Sequence, residues 1–196
     1  MSLILASESA SRQRLLRAAG VPFEVQPARI DEASVKATLQ AEGATAEAAA
    51  ETLAELKGQR VSLRNPGRMV VSADQLLVCE DRWFDKPGSL EQAAEQLAFL
   101  SGKTHRLATA VMATRDGARL WHRVESPKLT LRRLGTAEIR AYLDGAGAAV
   151  LGSVGAYHVE GLGIRLMARI DGDHFAIQGL PLLPLLDFLR NHGLAG

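Results

Sequence analysis

Apolar residues fall in short blocks separated by polar junctions, and the period of those blocks changes along the chain. Leu3-Ile4-Leu5-Ala6 is a continuous apolar run of strand length. The polar turn Ser7-Glu8-Ser9-Ala10-Ser11 then leads into a helix over residues 12–19, closed by Gly20. Phe23-Glu24-Val25 predicts a second strand ending near Pro27, and the pair Asp31-Glu32 stands just past it. Residues 33–63 are rich in alanine and glutamate with helical spacing, which predicts two helices broken at Gly43-Ala44-Thr45 and stopped by Asn65-Pro66-Gly67.

Met69-Val70-Val71-Ser72-Ala73 predicts a buried strand that ends in Asp74-Gln75, with Leu76-Leu77-Val78-Cys79 continuing the apolar character up to a turn at Glu80-Asp81-Arg82. A helix is expected over 89–100, ending at Gly102. Strands over 106–114 and 118–130 form a hairpin turning at Asp116-Gly117, which makes this part of the sheet antiparallel. A helix over 136–143 follows, then the irregular glycine-rich segment 152–163, a strand over 164–170, a turn at Asp171-Gly172-Asp173 and a closing helix over 182–191.

The 196 residues suffice for one compact unit. The 23 basic and 22 acidic side chains nearly cancel, so no global field draws the chain onto nucleic acid or an anionic membrane, and an anionic substrate has to be met locally. Cys79 is the single cysteine, which excludes an intramolecular disulfide and suits a reducing compartment. The N-terminus lacks the charged and apolar segments of a secretory signal, and no apolar stretch is long enough to span a membrane. A cytoplasmic location is therefore expected.

Two local features suggest chemistry. The Ser7–Arg12 junction joins a strand to a helix N-terminus, where free N–H groups, serine hydroxyls and an arginine fork suit phosphate; the alternative is a serine cap beside a solvated arginine. Asp74 interrupts an apolar run, where a carboxylate is costly unless it is paired or holds metal; the alternative is a turn or helix cap. The five histidines show no paired metal-ligand spacing and read as surface or structural groups. There is neither a P-loop nor a G-x-S-x-G elbow.

Six ordered blocks resemble the Maf family: LILASESASRQRLL with Asp31-Glu32; Ser72-Ala73-Asp74-Gln75; Asp85-Lys86-Pro87; Leu100-Ser101-Gly102-Lys103-Thr104-His105; the segment from Gly155 to Gly163; and Asp171-Gly172-Asp173 with Gly179-Leu180-Pro181. The resemblance implies an α/β fold of the Maf and inosine triphosphatase-like type, with a central mixed sheet flanked by helices, two lobes around a deep cleft, and residues 1–196 as one domain. It implies a nucleoside triphosphate pyrophosphatase that cuts between the α- and β-phosphates with Mg²⁺, Mn²⁺ or Co²⁺. Asp74, Lys57 and Lys86 would be catalytic, Glu32 and Asp74 would hold the metal, and Ser7, Ser9 and Arg12 would bind phosphate.

Ser11, Gln75 and Glu160 would contact the base. Gln75 and Glu160 resemble the branch acting on 7-methyl-GTP, whereas Ser11 departs from the residues common at its position in the family. The expected partner is a nucleoside triphosphate, without nucleic acid or membrane, and a homodimer is an allowed assembly. The alternatives are a dTTP/UTP pyrophosphatase, an inosine triphosphatase-like enzyme, and a non-catalytic nucleotide-binding regulator of cell division.

Overall fold

The computed structural model describes residues 3–195, so the part of the N-terminal reading that rests on Met1 and Ser2 lies outside the described residues. The elements, in chain order, begin with β1 (Leu3–Leu5), α1 (Ala10–Ala18), β2 (Phe23–Val25), α2 (Glu32–Ala41) and α3 (Ala46–Ser62). They continue with β3 (Val70–Cys79), β4 (Arg82–Phe84), α4 (Leu90–Leu100), β5 (Thr104–Arg115), β6 (Ala118–Glu125) and β7 (Lys128–Leu131). Last come α5 (Thr136–Ala146), three short 3₁₀ turns between Gly147 and Leu166, β8 (Met167–Asp171), α6 (His174–Ile177) and α7 (Leu182–Asn191).

The strands form one mixed sheet in the order β2-β1-β3-β5-β7-β8, with β4 on β3 and β6 on β5. Only β1 pairs in parallel, with β2 and β3; every other recorded pairing is antiparallel. The two long central strands β3 and β5 lie side by side, and each changes its outer neighbour partway along. β1 pairs with Val70 and Val71, while β4 pairs with Leu77, Val78 and Cys79, so residues 72–76 have no strand on that edge among the described residues. The sheet is notched at its centre.

Side-chain alternation turns this notch into a boundary between two cores. Ala73, Val111 and Ala113 pack with Leu15 and Leu16 of α1 and with α7. Leu77 and Leu107 lie on the same face but join α4 and α5 instead. Between them, Gln75 and Thr109 stand directly opposite one another in the β3–β5 register as a polar seam. The other face is covered by α3, whose alanine row lets it lie close to Leu76, Val78 and Met112. Among the described residues, no helix is long and apolar enough to cross a membrane.

Several boundaries differ from those the pattern predicts. α1 starts at Ala10 rather than at residue 12, because the Ser9 hydroxyl accepts the Arg12 N–H at 3.4 Å and so caps the helix earlier. β3 runs straight through Asp74, since its ladder with β5 continues from Val70 to Val78; the carboxylate sits mid-strand, not at a strand end. The expected strand over 118–130 is two, parted at Ser126-Pro127, where proline offers no N–H and its carbonyl accepts from Leu107 at 3.0 Å. The run over 164–170 begins as a 3₁₀ turn, and only Met167–Asp171 is strand. The turn at Asp173 opens α6, because its carboxylate caps the Ala176 N–H at 2.7 Å.

Candidate active site

A cavity of about 580 Å³ opens at the sheet notch, lined by the residues that follow β1, those that follow β4, and the exposed edge of β3. Because the notch gives access to both faces, Asp74 and Gln75 both line the cavity although successive strand residues point in opposite directions.

On the α3 face the packing is unusually close. A Cβ on Gly58 would lie 2.3 Å from Thr114 Oγ1 and 2.7 Å from Ser72 Oγ, and Ser72 Oγ in turn donates to the Ala54 carbonyl at 2.6 Å. That contact brings Lys57, the preceding residue, over the middle of β3. Its Nζ lies 2.5 Å from Asp74 Oδ1 and 2.9 Å from Glu32 Oε1, with Lys57 7% and Asp74 4% exposed. Asp74 Oδ2 is buried with no hydrogen-bond partner among the described residues. A buried carboxylate oxygen left in this state costs on the order of 1–3 kcal/mol, which the fold alone does not offset at Asp74.

Glu32 is the first residue of α2, behind the Asp31 cap on the Ser34 N–H at 3.1 Å. Partial burial opposes its charge, but Lys57, Lys36 and Lys86 outweigh that and hold the carboxyl below its usual range. Lys86 stands at the rim, where loss of water and repulsion from Arg12 lower its pKa. Beside it, Asp85 Oδ1 accepts from Lys36 Nζ at 2.6 Å.

The α1 junction supplies the opposite wall. Arg12 donates through Nη1 to Ser7 Oγ at 3.0 Å and through Nε to the Gly179 carbonyl at 2.8 Å, which leaves Nη2 without a recorded hydrogen bond. Desolvation lowers its pKa against the pull of Asp74 and Glu32. Arg12 is therefore fixed rather than solvated. Gly179 has φ +98°, a conformation that favours glycine, so the carbonyl that anchors Arg12 depends on that residue. Ser7, Ser9 and Ser11 all line the cavity, with Ser9 also serving as the cap described above.

On the seam side, Gln75 Nε2 donates to Thr109 Oγ1 at 2.8 Å and faces the Ala176 and Ile177 carbonyls at 3.0 and 3.2 Å. Three acceptors fix the amide orientation and leave Oε1 as its unused group. Glu160 reaches the cavity from the glycine-rich segment, its Oε1 accepting from Ser11 Oγ at 3.3 Å and from Arg14 Nη2.

Every sequence-predicted site residue thus lines this one cavity. His158 lines it too, but His105 does not. His105 is buried behind it, with Nε2 2.5 Å from the Tyr157 hydroxyl, and burial pushes its pKa down to about 4. Tyr157, from the Gly155–Gly163 block, lines the cavity as well, as do Arg29, Lys36 and Gln178, which carry no sequence signal of their own; Arg29 adopts a left-handed φ of +49°, which no local pattern announces.

The two carboxylates fit a divalent cation as a partial ligand set. No group of three or more His, Cys, Asp or Glu side chains that could hold a metal is found among the described residues. The unpartnered Asp74 Oδ2 and the half-exposed Glu32 offer two oxygen donors, the usual protein share where substrate phosphates and water complete the shell.

The profile of the family described as Maf-like protein matches residues 2–192. A nucleoside triphosphate pyrophosphatase of Rhodospirillum rubrum is 52% identical across 98% of this chain and 95% of its own length. One of Granulibacter bethesdensis is 50% identical across 98% of both chains. A 7-methyl-GTP pyrophosphatase of Brucella abortus is 48% identical across 97% of this chain and 96% of its own.

Proposed function

The chain belongs to the Maf family, and from that premise we infer that it is a nucleoside triphosphate pyrophosphatase, releasing nucleoside monophosphate and pyrophosphate. The observation that carries this reading is Asp74: one carboxylate oxygen is pinned by Lys57, the other is buried with no hydrogen-bond partner among the described residues, and the residue lines a cavity that Arg12, Lys36 and Lys86 also line.

The triphosphate lies along Arg12, Lys57 and Lys86, with Ser7, Ser9 and the free N–H groups of the α1 N-terminus taking phosphate oxygens. Lys57 holds Asp74 in one orientation, so that its carboxylate takes a proton from water as the water oxygen bonds to the α-phosphorus. The bond from that phosphorus to the oxygen bridging to the β-phosphate breaks, and pyrophosphate departs among Arg12 and Lys86. Glu32 and Asp74 would hold Mg²⁺, Mn²⁺ or Co²⁺, which when bound neutralises polyphosphate charge and lowers the pKa of water.

The base lies against Ser11, Gln75 and Glu160. The acceptors Gln75 Oε1 and the Glu160 carboxylate suit the guanine N1–H and 2-amino donors, which supports a guanine nucleotide, and the positive charge of N7-methylated guanine beside Glu160 supports 7-methyl-GTP among them. The test is release of monophosphate and pyrophosphate from a panel of purine, pyrimidine and methylated triphosphates with each of the three cations. Preference for dTTP or UTP overturns the base reading alone. Binding without turnover under every condition overturns the enzyme reading in favour of a nucleotide sensor.

A further inference from the structure

Among the described residues, the hydrogen-bond and ion-pair partners of Glu160 all meet one of its two oxygens. Ser11 Oγ, Arg14 Nη2 and, at 3.8 Å, His158 Nδ1 each approach Oε1, while Oε2 has no recorded hydrogen bond. Ser11 and His158 line the cavity; Arg14 does not. It follows Ser11 by three residues, hence on the same face of α1 one turn later, and stands behind Glu160 with half of its side chain in solvent. The same Nη2 lies 3.4 Å from Gln178 Oε1, so Arg14 ties α1 to both loops that close this end of the cavity.

We propose that Arg14 is a specificity-determining residue that acts through Glu160, from outside the cavity, by setting the charge that the carboxylate presents to the base. This rests on the reading of Glu160 as a base contact. An unpaired carboxylate attracts a cationic base, such as N7-methylated guanine, more strongly than a neutral one of the same shape. Paired with Arg14, Glu160 keeps Oε2 as an acceptor but offers less net negative charge. Arg14 therefore restrains discrimination in favour of the methylated nucleotide and keeps unmodified guanine acceptable. The short Ser11 side chain leaves room for this arrangement.

The test is internal competition between 7-methyl-GTP and GTP in one reaction, which reads the ratio of their kcat/KM values directly. Arg14→Gln raises that ratio by roughly two- to fivefold, the size expected of a half-exposed ion pair, while Arg14→Lys stays near the parent. In a Glu160→Gln background, Arg14→Gln has no further effect, which a merely structural role for Arg14 would not produce. A ratio unchanged by Arg14→Gln, in a parent that turns over both guanine nucleotides, overturns the role of Arg14 alone. A parent confined to pyrimidine triphosphates overturns the role of Arg14 and the base reading together.

Discussion

α2 and α3 both deliver charged groups to the cavity, yet they are anchored in opposite ways. α3 buries nine of its 17 residues against the sheet and holds Lys57 on Asp74 through the Gly58 contact. α2 has no buried residue, rests on partly buried Val35 and Leu39, and contributes Glu32 and Lys36. In the proposed reading, the proton-accepting Asp74 is thus held by a deeply packed layer, whereas the other proposed cation ligand, Glu32, sits on a helix with little to pin it.

The largest effect is expected at the rigid half. Asp74→Asn leaves the volume of the side chain almost unchanged but removes the proton acceptor, so turnover falls at least about a hundredfold while the fold is retained. Steady-state kinetics beside a thermal melt check this, and activity within a few-fold of the parent would sink the role. Gly58→Ala comes next. Alanine gains up to about 1 kcal/mol of helix propensity, but its Cβ overlaps Thr114 and Ser72, both fully buried. Overpacking of this kind costs about 1–3 kcal/mol, so the net change is destabilising, and turnover falls because Lys57 is carried away from Asp74. A variant as stable and as active as the parent would mean that the α3 layer is softer than its packing implies.

At the adjustable half the effects are smaller and of another kind. Glu32→Gln raises the cation concentration needed for half-maximal activity and costs little stability, because the amide oxygen can still accept from the buried Lys57 Nζ although the ion pair is lost; an unchanged cation titration would remove Glu32 from the ligand set. The smallest expected difference involves no mutation. Backbone amides of α2 exchange with solvent at least about tenfold faster than those in the middle of α3, and equal protection by hydrogen-exchange mass spectrometry would erase the contrast.

The sequence reveals these two halves unequally. Asp74 stands out because it breaks an apolar run, and the helices over 33–63 follow from their spacing and the Gly43 break. The notch in the sheet was not legible, since a ten-residue strand buried at nine positions looks the same whether it has one outer neighbour or two. The tie between Gln75 and α6 was hidden because α6 is a four-residue helix whose only local cue is the Asp173 cap. Lys57 entered through family resemblance. Its helix position alone carries no signal, because what buries it is the approach of Gly58 to Ser72 and Thr114, residues far apart along the chain.

The most direct test of the central claim is hydrolysis in heavy-oxygen water, with the mass of both products recorded. Attack on the α-phosphorus by water at Asp74 puts the label in the nucleoside monophosphate and leaves pyrophosphate unlabelled. Label in pyrophosphate, or products that are nucleoside diphosphate and orthophosphate, would contradict the account.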